Sequence, residues 1–484
     1  MIKRLSLVLC LAVTATLPVG CGDRDGGQNG AGQSPSMPAI HVRHRRLVDD
    51  LGREWQLRGI NARIEGLFDV TFDDGRTRLE PLADFTADDA RLIVQFGFNF
   101  LRLPINWSGL EPHEGEFSDS YLANLDRVIG LCKDAGLYVL VDFHQDAYSK
   151  EIGEDGAPLW AIVPPPEMLL EGPLNDLDQR RLSKQVSLAF RSFFDNRDRL
   201  QDRFLPAWRL ITGRYAGESA VVGFEVMNEP VAYYNDDAEA QLLAFYRKAA
   251  TAMREVNPDQ PLWLEPDVSR NISLIAPLLP EPFPDEQVVY CPHTYPLVSA
   301  STVEGWKSAL RKSFLAMRNE ADSWGAALHM NEWGANPVSP ASDAYIQAVQ
   351  ELSEEVHAGQ AFWLWKENSQ GFWGFFDYDA PSGRWNERPG AARTVGKPYA
   401  MAVPGEWLEH GFDVATGTLR ARFHAAGGEA APLLFLPSSW YPQGVRVTLN
   451  GAAVPVAIDP ETHRAEIPWQ GKAGDFEVVA VPAE

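Results

Sequence analysis

Eight short apolar stretches recur between residues 54 and 368, and almost every one ends on polar or aromatic side chains. They are EWQLRGIN (54–61), FNFLRLPI (98–105), YVLVDFHQD (138–146), VVGFEVMNE (221–229), PLWLEPD (261–267), QVVYCPHTYP (287–296), ALHMNEWG (327–334) and GQAFWLWKEN (359–368). Helical patterns separate them, such as TADDARLIVQFG, which opens on the capping residue Thr86. Continuous apolar runs suit strands covered on both faces, the environment of a parallel sheet. Eight such units in one run predict an α/β fold, a (β/α)8 TIM barrel. In that architecture the C-terminal strand ends form one rim, and the active site is built there. Asn61, Arg102, His144, Asp146, Asn228, Glu229, His293, Tyr295, Glu332 and Trp363 all fall at such ends. One polar strand end is an ordinary loop start, whereas ten on a single rim make a pocket.

After about residue 402 the pattern changes to short alternating strands with turn signals between them, and a small β-sandwich is expected. TLNG (448–451) carries the Asn-Gly pair of a tight hairpin turn. The sandwich reads either as packing for the barrel or as a module contacting carbohydrate or membrane. The third connection is long, with roughly 75 residues between Asp146 and Val221. Its stretch GAPLWAIVPPPEMLLEG (156–172) reads equally as a satellite core or as exposed apolar surface for a lipid-bearing substrate.

MIKRLSLVLCLAVTATLPVGCG has the form of an export signal, with Lys3 and Arg4 before an apolar run. Cys21 follows a box similar to that of bacterial lipoproteins, and residues 22–38 are rich in Gly, Ser and Pro. The expected divisions are 1–20 signal, 21–38 flexible tether, 39–401 TIM-barrel catalytic domain and 402–484 β-sandwich. The expected location is an outer-membrane or cell-surface lipoprotein held through a Cys21 lipid, or a secreted or periplasmic protein. A net charge of −23 argues against nucleic acid as a partner. Cys132 and Cys291 are far apart in sequence, and Cys132 shares an apolar helix face with Leu122, Leu125 and Ile129. No metal-ligand spacing is present among Cys and His, and no cofactor is expected.

Two acids stand out, Glu229 after strand four and Glu332 after strand seven. In a barrel these strands face one another across the mouth. Breaking a glycosidic bond needs a proton donor on one side and a carboxylate on the other. An ionised nucleophile wants donors beside it, and Arg102 and Tyr295 could supply them to Glu332. Glu332 is therefore expected as nucleophile of a retaining enzyme and Glu229 as acid/base, with Asn228 holding the sugar 2-hydroxyl. Glu225 reads as a salt-bridged structural acid.

MNEP (227–230), NEWG (331–334), HTY (293–295) and FLRLPINW (100–107) resemble the motifs of glycoside hydrolase family 5. Within it, DFHQDAYS (142–149), GAPLWA (156–161) and YCPHTYP (290–296) are similar to those of endoglycoceramidases, which cut the β-link between glycan and ceramide. That resemblance implies a glycolipid or oligosaccharide substrate. It further implies that Asp146 and Trp160 touch the sugar next to ceramide and that Trp363 is the platform beneath it, with Trp365 as the competing choice. His144, His293, Tyr295 and Arg102 join the substrate-binding set. Where several family members carry a sugar-contacting Lys, NARIEGLFD (61–69) has none, and Arg63 or Glu65 is expected to line that wall instead. Lys366 and Glu367 are charged where shorter polar residues are usual. The alternatives are another family-5 β-glycosidase, glucosylceramidase-like or cutting β-glucan or β-mannan, and a non-catalytic sugar-binding barrel.

Overall fold

Short strands buried along their whole length can be satisfied only by neighbours on both sides and cover on both faces. The computed structural model meets that demand by closure. It describes residues 37–272, 282–295, 303–367 and 373–483. The expected signal, Cys21 and nearly all of the tether lie outside the described residues, as do Pro296 and Asn368 at the ends of two predicted strands.

The barrel strands are β1 (Arg58–Asn61), β2 (Phe100–Ile105), β3 (Tyr138–Phe143), β4 (Val221–Glu225), β5 (Leu262–Leu264), β6 (Val288–Tyr290), β7 (Ala327–Trp333) and β8 (Gly359–Phe362). They are parallel, run in chain order and close β8 onto β1. Every residue in them is buried. An aromatic layer fills the lower interior, where Phe100 stacks on Trp263 with ring centroids 5.7 Å apart. Gly59 is required at that level, because a Cβ there would stand 2.2 Å from the Phe100 ring. Above this plug the interior turns polar, beginning with Arg102, which pairs in register with Asn61 of β1 and Leu140 of β3.

Two predicted strands end earlier than their apolar runs. EWQLRGIN divides into Arg53–Trp55, which pairs antiparallel with Tyr399–Pro404, and β1. VVGFEVMNE leaves the ladder at Glu225, although Val226 and Met227 remain buried beyond it. Burial continues past the hydrogen-bonded strand, so apolarity alone overruns its end.

The C-terminal region forms two antiparallel sheets. One runs Ile40–Arg43, Arg46–Asp49, Arg53–Trp55, Tyr399–Pro404, Leu433–Phe435 and Arg464–Glu466. The other runs Glu406–Asp413, Thr418–Ala426, Ala473–Pro482, Val445–Leu449 and Ala452–Val454. Ala400, Val403 and Leu434 of the first share a core with Leu419, Phe423 and Val478 of the second. Three strands that precede the barrel thus belong to a sheet completed after it. Asn450 and Gly451 make the expected two-residue hairpin turn with φ of 49° and 78°.

The long connection between β3 and β4 does both things that its composition allowed. Ala157, Ala161 and Ile162 of the 156–172 stretch join the main core, as do Phe190, Phe193 and Phe194 of the helix Lys184–Phe194 further on. Met168 and Leu182 stay 62% and 76% exposed. Cys132 and Cys291 are free thiols, both buried.

Candidate active site

Arg102 organises the rim from below. It has no solvent exposure, so each guanidinium nitrogen must find a partner. Nε and Nη2 donate to the two Glu225 oxygens at 2.7 and 2.8 Å. Nη2 also donates to Asn228 Oδ1 at 2.7 Å and lies 3.0 Å from Asp142 Oδ2. Nη1 donates to Asn61 Oδ1 at 3.0 Å and to Glu332 Oε1 at 2.5 Å. Burial alone would push the Glu225 carboxyl up, but the charge and hydrogen bonds of Arg102 bring it down to about 2. Glu225 is thus the structural acid that anchors the guanidinium.

Glu332 lies within β7, where Tyr295 Oη donates to its Oε2 at 3.0 Å. Glu229 stands four residues past the end of β4 on a left-handed turn, with φ of 39°. Its Oε1 accepts from Asn271 Nδ2 at 3.1 Å and lies 2.9 Å from His293 Nδ1. The same nitrogen is 3.5 Å from Glu332 Oε2. One carboxylate oxygen from each glutamate lies within 4.8 Å of the other.

Burial raises Glu332 above the ordinary carboxylate range, against the charges of His293 and Arg102. Glu229 is also pushed up by burial, but the His293 hydrogen bond and charge outweigh it and hold the group low. His293 itself goes well above its usual range: burial opposes charge, and Glu265, Glu332 and Glu229 overcome it.

A cavity of about 1120 Å³ opens above these groups. Seven of the expected site residues line it: Glu229, Glu332, Asn228, His144, Asp146, Tyr295 and Trp363. His144 Nδ1 lies 2.7 Å from Asp142 Oδ2, and its ring is parallel to Trp363 with centroids 5.6 Å apart. Burial, aided by the charge of Arg102, takes His144 down to about 3, so its ring is neutral.

Three expectations are corrected in detail. Arg102 and His293, grouped with the substrate-binding residues, are fully buried beneath the cavity and address the carboxylates instead. Trp160 does not reach the cavity: Nε1 donates to the Glu111 carbonyl at 3.1 Å, and the ring packs edge-on to Trp107 at 5.0 Å.

Trp365, the competing choice for the platform, lies beyond the β8 ladder, which stops at Phe362 and takes strand alternation with it. Trp365 is buried and donates to Asp89 Oδ1 at 2.9 Å. Arg63 lines the cavity, bound to Glu80 at 2.5 Å and Glu154 at 3.1 Å, whereas Glu65 does not line it. Lys366 turns away to Asp89 Oδ1 at 2.5 Å.

Residues 52–369 match the family model "Cellulase (glycosyl hydrolase family 5)". This chain belongs to glycosyl hydrolase family 5. Residues 397–481 match the glycoside hydrolase family 5 C-terminal domain, which accounts for most of the sandwich. Among curated relatives, Endoglycoceramidase I of Rhodococcus hoagii (strain 103S) is 26% identical over 84% of this chain and 82% of its own. A structure of endo-glycoceramidase II from Rhodococcus sp. is 26% identical with a TM-score of 0.76, covering 91% of this chain and 100% of that one. The lactosyl-enzyme intermediate of that protein is 25% identical with a TM-score of 0.75, covering 93% and 100%.

This family-5 site also holds residues that the sequence reading passed over. Arg181, on the short helix Leu177–Arg181, pairs with Asp146 through Nε at 2.8 Å and through Nη2. Trp373 lines the cavity and stacks on Tyr295 with centroids 5.4 Å apart. Glu265, just after β5, lies buried behind His293. Its stretch PLWLEPD ends on a carboxylate as the catalytic strands do, and that was the available signal.

Proposed function

We propose that this protein is a retaining β-glycosidase that cleaves the link between glycan and ceramide in glycosphingolipids. Glu332 attacks the anomeric carbon while Glu229 protonates the departing oxygen. Glu229 then takes a proton from water, and that water releases the glycan from Glu332. The observation that carries the chemistry is the approach of the two carboxylates to within 4.8 Å. An inverting enzyme needs room for a water between them, at roughly 6.5–9.5 Å, whereas a retaining pair stands about 5–5.5 Å apart. Arg102 and Tyr295 give Glu332 a donor on each oxygen, which opposes the upward push of burial and supports the ionised form that attacks. Asn228 is locked by Arg102 and by its own bond to the Gln145 carbonyl at 3.0 Å, leaving one N–H for the sugar 2-hydroxyl.

The substrate class is supported by the names of the relatives and by the rim. Leu182 and Tyr233 line the cavity while 76% and 46% exposed, apolar surface that a lipid can cover and a polysaccharide does not need. The export signal, Cys21 and the tether read from the sequence support an exported enzyme held at a membrane surface. Incubation with a panel of glycosphingolipids, products identified by mass, tests the reading. Free ceramide plus intact oligosaccharide is expected; release of single sugars, or cleavage of soluble β-glucan alone, contradicts it.

A further inference from the structure

Glu265 follows the last residue of β5 and has no solvent exposure. A buried carboxyl is costly unless it is paired, and an apolar residue of similar volume would fill the barrel more cheaply. Its contacts show where it is used. Oε1 accepts the main-chain N–H of Glu229 at 3.1 Å. The same oxygen is 3.2 Å from His293 Nε2. His293 Nδ1, on the other side of the ring, is 2.9 Å from Glu229 Oε1. The imidazole thus spans the two carboxyls, and the peptide of Glu229 closes the loop.

We propose that Glu265 is a positioning residue for Glu229, acting through His293 to set where the acid/base proton rests and through the Glu229 N–H to hold the turn that aims the carboxyl. This inference rests on the assignment of Glu229 as acid/base. Glu229 must be protonated when the aglycone leaves and ionised when water attacks. The nearest titratable nitrogen is His293 Nδ1, 2.9 Å from Glu229 Oε1, and that contact holds the Glu229 carboxyl low. As the Glu332–C1 bond forms and the C1–O bond breaks, a proton passes from His293 Nδ1 to Glu229 Oε1 and from Glu229 to the glycosidic oxygen. The imidazole is left neutral, with its remaining proton on Nε2 facing Glu265. In the second half the water proton passes to Glu229 and back to Nδ1, while the water oxygen bonds C1 and Glu332 departs. No proton is gained or lost over the cycle.

Burial and the neighbouring Glu225 carboxyl push Glu265 well up, against His293, and Glu225 itself is held by two bonds to Arg102. Arg102 Nη2 is 3.5 Å from Glu265 but already serves Glu225, Asp142 and Asn228. Tyr246 donates its hydroxyl to the Glu265 carbonyl at 2.8 Å, and burial keeps that phenol un-ionised. Burial likewise keeps the nearby Cys291 thiol neutral. Among the described residues, His293 is the one basic group within 3.5 Å of both the Glu265 and Glu229 carboxyls.

The test compares Glu265→Gln with wild type on two synthetic β-lactosides, one with a dinitrophenol leaving group and one with a simple alcohol. The first departs without help and the second needs a proton. General acid–base catalysis as a whole is worth about 10²–10⁴-fold, so losing its positioning should cost at least about tenfold on the alcohol glycoside. Loss on the dinitrophenyl glycoside should stay under about threefold, and the alkaline limb of the alcohol profile should move to lower pH. Equal losses on both substrates, or no change on either, overturn the proposal. If the variant does not fold, nitrogen-15 spectra of wild-type histidines decide. Both His293 ring nitrogens protonated at neutral pH support the relay, and a neutral ring overturns it. The lactosides report on glycosidase chemistry whatever lipid is natural. A wild type that cuts them but no glycosphingolipid removes only the substrate reading, and a Glu229→Gln variant with full activity on the alcohol glycoside removes the acid/base assignment itself.

Discussion

Arg102 Nη1 donates to Glu332 Oε1 at 2.5 Å from a position with no exposure to solvent. The same guanidinium grips Glu225 with two parallel bonds, so the nucleophile's cation is itself anchored. Arg102→Ala would leave four buried carboxyls, Glu225, Asp142, Glu265 and Glu332, without their counter-charge, a loss of at least about 3–5 kcal/mol by analogy with broken buried pairs. Arg102→Lys returns the charge but not the fork, and should recover only part of the stability and little turnover. Urea unfolding alongside kcat/KM checks both; a fully active Lys variant would show that charge alone suffices.

Tyr295→Phe removes the second donor to Glu332 while the ring keeps its stack on Trp373. A hydrogen bond to a charged group is worth about 1.5–3 kcal/mol, so kcat should fall by up to roughly 10- to 150-fold, with a drop of a few degrees in melting temperature. An unaltered kcat would mean that this hydroxyl does not support the ionised nucleophile.

Arg181→Ala frees Asp146 and removes a positive charge that helps hold Glu229 low. The side chain is 40% exposed, so stability should change by about 1 kcal/mol or less. The expected signature is a higher KM, with the alkaline limb of the kcat/KM profile shifted upward. If neither moves, Arg181 is a surface pair with no part in the site.

Glu54 gives a pH effect remote from the site. Burial raises its carboxyl to about 7, only partly offset by Arg46 at 3.5 Å. A group whose folded value is raised stabilises fully below its unfolded value, near pH 4.5, and that contribution is lost as pH climbs through about 7. Glu54→Gln can still accept the Trp407 N–H, so it should raise the melting temperature at pH 8 and change it little at pH 5. A Gln variant less stable at pH 8 than wild type would contradict this sign.

The barrel was legible because its strands are buried throughout and read as unbroken apolar runs. The boundary inside EWQLRGIN was not, since no turn residue separates Trp55 from Arg58 although they serve different sheets. The carboxylate pair and its donors were visible as strand ends. Arg181 was hidden because its partner Asp146 lies 35 residues away and only tertiary packing joins them. Trp160 was placed by motif likeness, but its N–H is taken by a main-chain carbonyl that no pattern announces. Glu265 was passed over because a single acid carries no sign of its partner across the barrel.

The central claim is that Glu332 forms the covalent bond to sugar. It is tested most directly by mass spectrometry of the enzyme after a slow-turnover 2-deoxy-2-fluoro lactoside carrying a good leaving group. One added lactosyl unit, mapped to the peptide holding Glu332 and missing in Glu332→Gln, is the expected result. An adduct on Glu229, or turnover of the natural linkage with inverted anomeric configuration, would contradict it.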